Sequence, residues 1–323
     1  MGSSNNCNDM QVPLINLSLL QQDSQTKSHV IKQIHQACTS AGIFNVINHG
    51  LSETLIEEVL KVNANFFELP LVTKEGLISD DILKPVRFST NQGGAQGIFR
   101  DFLKLYAHPL EEFLNSWPNN PPDYRDKMGR CAVEMRKLGI QILGAIMESL
   151  NLETTFLKDN IEQGMHMVAI NSYPPISESK NIKKIIGAPQ HTDHSIITIL
   201  LQSSSGLQVM DRNDKNTWKY VPKLKGSLLV FVGDHLEVLS NGKYKSVLHR
   251  VVYESCDETR LSIASFQSLG MDEVLEPAIE LVDEEHPKQY KGSSLRDFLK
   301  HLASGESKPF IETLKISSET MEE

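Results

Sequence analysis

Beyond His166 the chain breaks into short β-rich runs separated by turn residues, and that punctuation restricts the fold more than any other feature. The runs cover residues 167–173, 196–202, 207–210, 218–221, 228–232, 247–253 and 261–266. Each is rich in branched and aromatic side chains, which pack well on a pleated surface. Asn213-Asp214 and Asn241-Gly242 punctuate them, and the second pair reads as a hairpin turn. Many short strands joined by tight turns pair antiparallel and build a sandwich or jelly roll.

The preceding half reads differently. Residues 28–40 and 53–67 show the apolar spacing of helices that end near Gly42 and Pro70. The longest helix is expected over about 123–150, with Met135, Leu138, Ile142, Ile146 and Leu150 as its buried stripe. That stripe is core packing rather than a cofactor contact. The expected class is therefore α+β with a mainly β core. Residues 1–160 form a helical region with opening strands, 161–270 the β core, and 271–323 a C-terminal helix and tail.

Within the β-rich half, His191-Thr192-Asp193 places two polar side chains at i and i+2, on one face of an extended strand. His249, inside the apolar run 247–253, is a candidate third partner. Two imidazoles and one carboxylate on one face of an ion suit non-haem Fe(II) and O₂ chemistry. A His-x-Asp alone is common, and His35, His108, His235 and His301 show how readily isolated imidazoles arise. Arg260-Leu261-Ser262 changes the weighing. A guanidinium inside an apolar strand needs a buried partner, and its planar fork beside a hydroxyl suits a carboxylate held at two points.

The order His191-x-Asp193, His249, Arg260-x-Ser262 resembles that of the plant 2-oxoglutarate and Fe(II)-dependent dioxygenases. Further fragments resemble the same family across nearly the whole chain: Val12-Pro13-Leu14-Ile15, Gly42-Ile43-Phe44 through His49-Gly50, Phe66-Phe67-Glu68-Leu69-Pro70, Asn171-Ser172-Tyr173-Pro174-Pro175 and Asn241-Gly242-Lys243-Tyr244. The resemblance implies a double-stranded β-helix backed by helices, with the metal at one open end. It implies Fe(II) on His191, Asp193 and His249. It places 2-oxoglutarate on Arg260 and Ser262 with Asn171 and Tyr173, O₂ as oxidant and ascorbate as a supporting reductant. The implied reaction hydroxylates or oxidatively demethylates a small specialised metabolite and yields succinate and CO₂. An ascorbate-using oxidase of the same superfamily and a noncatalytic binding protein on this fold are the alternatives.

Two departures concern the pocket. Phe99 stands where relatives often carry Trp, and Ala169 where some flavonoid-acting members carry Lys. Residues 88–106, Gly- and Gln-rich and then aromatic, read either as a variable pocket wall or as a solvated connector. Leu295, Phe298, Leu299 and Leu302 share a helical face that either closes the active-site mouth or packs on the domain. Phe266, Phe88, Phe99 and Phe298 are the expected substrate contacts, Phe266 by stacking on a flat molecule.

Bulk properties set the remaining bounds. A formal net charge of −9 over 323 residues argues against general nucleic-acid or anionic-membrane binding. Cys7, Cys38, Cys131 and Cys256 lack CxxC spacing and read as reduced thiols. Neither a basic-then-apolar leader nor an 18-residue apolar run is visible, and Asn6 spoils a myristoylation pattern at Gly2. A cytoplasmic monomer acting on a small molecule is the expectation.

Overall fold

A computed structural model describes residues 9–92, 99–153, 158–175, 186–214, 216–253, 258–306 and 308–316. Among these, the strands are β1 Leu14–Asn16, β2 Ile43–Ile47, β3 Val86–Gln92, β4 Phe99–His108, β5 His166–Tyr173 and β6 Ile186–His191. They continue with β7 Ile197–Gln202, β8 Leu207–Met210, β9 Trp218–Tyr220, β10 Leu228–Val232, β11 His249–Val252 and β12 Arg260–Gln267. An 8-stranded sheet runs in the order β1-β2-β10-β7-β12-β5-β4-β3, and a 4-stranded sheet in the order β6-β11-β8-β9. The fold is the jelly-roll type expected from the sequence.

Strand parity decides what each side of the large sheet does. Val168 and Ile170 of β5, Leu261 and Ile263 of β12, Ile197, Ile199 and Leu201 of β7, and Leu103 and Leu105 of β4 join the main core. That core includes side chains of the helices Ser24–Ser40, Glu53–Glu68 and Tyr124–Ser149. The residues between them, such as Ala169, Leu200 and Ala264, join a second cluster with Ala188, Leu207, Val209 and Val251 of the small sheet. Alternation along each strand thus gives one face to the helices and the other to the space between the sheets.

The helices start where side chains can satisfy their first N–H groups. The Asp23 carboxylate accepts from the Gln25 and Thr26 amides, so the first long helix begins at Ser24, four residues before the periodicity alone predicts. Ser294 and Asp297 form a capping box for Leu295–Ser304, which ends at Gly305 with φ 71°.

Two expectations need correction. Asn241 and Gly242 have the positive φ values of 47° and 80° that a hairpin turn requires. They instead terminate the short helix Asp234–Leu239, with the Gly242 amide donating to the Glu237 carbonyl at 2.9 Å. The strands before and after this helix, β10 and β11, lie in different sheets. Asn213-Asp214, by contrast, does turn the chain between β8 and β9, which pair antiparallel. On the C-terminal helix, Leu295 and Leu299 are buried beside Tyr106 and Met167, but Leu302 is 53% exposed. Cys38 and Cys131 are buried free thiols; Cys7 and Cys256 lie outside the described residues.

Candidate active site

The small sheet and the turn after β6 bring His191, Asp193 and His249 together. His191 and His249 are direct partners across β6 and β11. Their ring centroids are 4.2 Å apart. His191 Nε2 lies 3.7 Å and His249 Nε2 3.8 Å from the same oxygen, Asp193 Oδ1. Each ring's other nitrogen faces a backbone carbonyl two residues earlier: His191 Nδ1 meets Pro189 O and His249 Nδ1 meets Val247 O, both at 2.8 Å. A carbonyl only accepts, so both Nδ1 atoms donate and both Nε2 lone pairs turn toward Asp193. His191 sits half-exposed at the rim. The walls around its ring, and then the facing His249 imidazole, hold its pKa below the ordinary histidine range. The donor set therefore fits a single divalent ion: two neutral imidazoles and a carboxylate within reach of one point.

The turn carrying Asp193 is braced by the end of β10. The Asp234 amide donates to the Asp193 carbonyl at 2.7 Å and the Gly233 amide to the Ile196 carbonyl at 3.1 Å. Gly233 is required there, since a Cβ would stand 1.9 Å from the Ser195 carbonyl oxygen. Thr192 donates its hydroxyl proton to Asp234 Oδ2 at 3.1 Å. Burial, above all, raises the Asp234 carboxyl to about 8. None of these supporting residues was recognised from sequence, because nothing local links 233–235 to 192–196.

The large sheet supplies the opposite wall. Arg260 pairs with Tyr173 and Ser262 with Asn171 across β12 and β5, so all four residues share one face. The Arg260 guanidinium lies 4.9 Å from the Tyr173 ring centroid. Its Nε donates to the Ser204 and Ser205 carbonyls and its Nη2 to Gln202 Oε1 at 3.0 Å, which fixes the plane of the fork. The buried Asn171 side-chain oxygen has no hydrogen-bond partner among the described residues, so this amide presents an unfilled polar group at the wall. Arg260, Ser262, Asn171 and Tyr173 all line one cavity with the His-Asp-His cluster.

The expected pocket phenylalanines divide. Phe266 lines the cavity, on the parity of Arg260 and Ser262. Phe88 does not. It pairs with Leu103 and is fully buried against Phe66 and Phe67 on the helix side of the sheet. Phe99 has the same parity as Leu103 and is not among the lining residues; Tyr253 donates its phenolic proton to the Phe99 carbonyl at 2.6 Å. Phe298 is not among the lining residues either; it stacks on His194 at 4.1 Å with the rings 9° from parallel. Of the segment 88–106, expected to be a pocket wall or a connector, residues 88–92 and 99–106 belong to the paired strands β3 and β4, residues 93–98 lie outside the described residues, and the cavity residues are Arg100 and Phe102. The apolar and aromatic run Phe102–Ala107 held that signal, but the Gly-rich stretch before it masked a strand reading. Thr198, Leu200 and Phe231 also line the cavity and were likewise not singled out.

A β-sandwich with two imidazoles and a carboxylate at one end, facing a guanidinium–hydroxyl pair, defines a non-haem metal oxygenase. Residues 164–268 match the 2OG-Fe(II) oxygenase superfamily, and residues 12–120 match the non-haem dioxygenase in morphine synthesis N-terminal family. The chain is 44% identical over 307 residues to 2-oxoglutarate-dependent dioxygenase 21, chloroplastic, of Oryza sativa subsp. japonica, covering 94% of this chain and 91% of the relative. It is 40% identical to flavanone 3-dioxygenase 3 of the same plant, over 94% of this chain and 93% of the relative. The crystal structure of JOX2 in complex with 2OG, Fe and JA superposes with a TM-score of 0.82 at 25% identity, covering 95% of this chain and 89% of that one. The chain belongs to the 2OG-Fe(II) oxygenase superfamily. It is an enzyme of the dioxygenase class that uses iron and 2-oxoglutarate.

Proposed function

We propose that His191, Asp193 and His249 hold one Fe(II), and that Arg260 and Ser262, helped by Asn171 and Tyr173, hold 2-oxoglutarate. The substrate is a small metabolite with an aromatic or polycyclic body, hydroxylated in the space between Phe266, Phe102 and Phe231. When bound, iron and 2-oxoglutarate supply oxidative decarboxylation to succinate and CO₂ with transfer of one oxygen atom to a substrate C–H bond. The observation that carries this reading is the pair of Nε2 lone pairs aimed at one Asp193 oxygen, each fixed by an Nδ1–H bonded to the backbone.

The protein's own part is positioning. The two backbone carbonyls fix both imidazole tautomers. The Ser204, Ser205 and Gln202 acceptors hold the Arg260 fork in one plane, so that a carboxylate meets it without further ordering. The Phe231 ring, 5.0 Å from the His249 ring, and the aliphatic residues Leu200, Leu207 and Val251 keep the centre apolar. The selective wall is made by β4 and Phe266, and the helix Leu295–Ser304 acts through Phe298 and His194. We infer a cytoplasmic monomer; the chloroplastic designation of the rice relative makes fractionation of tagged protein the direct check. Among the described residues no helix is long and apolar enough to cross a membrane.

Succinate release from purified protein, tested with Fe(II), 2-oxoglutarate and a metabolite panel including flavanones and jasmonate, tests the proposal. Release that requires both and rises with one panel member is the expected result. Product formed with ascorbate in place of 2-oxoglutarate would assign the oxidase class instead. Binding without O₂ consumption would assign a noncatalytic receptor.

A further inference from the structure

Arg100 is a cation in the active-site wall to which the chemistry above gives no role. It lies on β4 with Phe102, two residues on, and both line the cavity. Its guanidinium carbon stands 5.4 Å from the Phe102 ring centroid. Stacking uses the face of a guanidinium and leaves its in-plane N–H donors unspent. Arg125, Arg136, Arg212 and Arg250 all donate to protein acceptors. Arg100 makes no hydrogen bond or ion pair among the described residues.

The charge balance of the cavity indicates what could pair with it. Fe(II) and the 2-oxoglutarate dianion cancel, as do Asp193 and Arg260, so Arg100 is the remaining net charge on the wall. Strand order places β4 two strands from β12, with β5 between. Two strand spacings are roughly 9–10 Å, so the two guanidinium groups rise from separate strands of the same wall, and Arg260 is the one already held in plane by Ser204, Ser205 and Gln202. Arg100 lines the same cavity as His191 at the rim and as Phe102 and Phe266 on the large sheet.

We propose that Arg100 anchors a carboxylate of the substrate, so that the enzyme acts on a small organic acid whose apolar body lies along Phe102 and Phe266. This rests on the reading of the site as an iron and 2-oxoglutarate centre. A half-buried, planar, bidentate donor at the cavity wall selects for charge and orients the acid, and a neutral analogue leaves the donors without an acceptor.

The test uses the protein loaded with Mn(II) and 2-oxoglutarate, which cannot turn over, and two matched probes, 2-naphthoate and 2-naphthamide, titrated calorimetrically. A charge-assisted pair predicts that the native protein binds the acid about ten- to a hundredfold more tightly than the amide. Arg100→Gln should erase that preference, and Arg100→Lys should restore part of it. Equal binding of the two probes by the native protein overturns the inference, as does a preference that survives in Arg100→Gln. The same titrations read 2-oxoglutarate affinity. A comparable loss of 2-oxoglutarate binding in Arg100→Gln would make Arg100 part of the co-substrate site and overturn the inference, leaving the function intact. Failure of the native protein to bind 2-oxoglutarate would overturn the functional reading itself, and this inference with it.

Discussion

The two sheets meet at one cavity but hold their functional groups by different means. On the small sheet, His191 and His249 are oriented by main-chain carbonyls, and the Asp193 turn is held by amides from 233–235. On the large sheet, groups reach the cavity through strand parity, and Arg260 is oriented by side chains, Gln202 and Tyr173, as well as by the Ser204 and Ser205 carbonyls. The contrast separates a ligand set oriented by the main chain alone from a sheet that carries both the co-substrate anchor and the wall that a substitution can reshape.

The sharpest test of that division removes a small-sheet partner. Asp193→Ala should lose iron and turnover altogether, well beyond the roughly 10- to 100-fold typical of losing an outer partner of a metal ligand. Its melting temperature should stay near that of the parent, because no core side chain is lost. Metal content and calorimetry read the two effects separately; full activity with iron bound would break the assignment.

Phe88→Ala tests the parity argument in the opposite sense. A fully buried ring against Phe66 and Phe67 should cost about 3–5 kcal/mol of stability on removal. The affinity for 2-oxoglutarate measured well below the melting point should not move. A substrate-specific KM change without a stability loss would return Phe88 to the pocket.

A smaller effect is expected from Arg260→Lys, which keeps charge but not the planar fork. Iron should remain, while the 2-oxoglutarate requirement rises roughly ten- to a hundredfold, corresponding to about 1.5–3 kcal/mol. An unchanged concentration dependence would place the carboxylate anchor elsewhere.

Smallest of all is Phe266→Ala. A single aromatic contact contributes about 0.5–1.5 kcal/mol beyond area burial, so oxidised product should fall partially while uncoupled succinate persists. A parallel fall of both to background would show that Phe266 supports the catalytic centre, and the division between the sheets would fail at that point.

How much of this was legible in the sequence follows the same line. The His-x-Asp, the distal His and the Arg-x-Ser pair were readable because i and i+2 on a strand share a face whatever the tertiary context. The pocket wall was not, because it required knowing that 99–108 is a strand and which parity faces inward. Phe88, Phe99 and Phe102 look equivalent in the sequence, yet pairing of Phe88 with Leu103 sends it to the helix core while Phe102 enters the cavity. The brace from Gly233 and Asp234 was invisible for a different reason. It joins segments about forty residues apart through main-chain groups, which leave no side-chain signature except the glycine.

The histidine latches carry a consequence for how such a centre tolerates change. Each Nδ1–H is received by a carbonyl two residues upstream, that of Pro189 within β6 and that of Val247 just before β11. A carbonyl is common to every residue type, so no single side-chain replacement at Val247 deletes the acceptor. At Pro189 the ring additionally restricts φ, on an edge strand where the missing N–H breaks no interior ladder. The tautomer that aims Nε2 inward is thereby insured against drift in the surrounding side chains. Mutations can accumulate around the pocket and redirect what it accepts while the geometry of the ligand set is inherited unchanged.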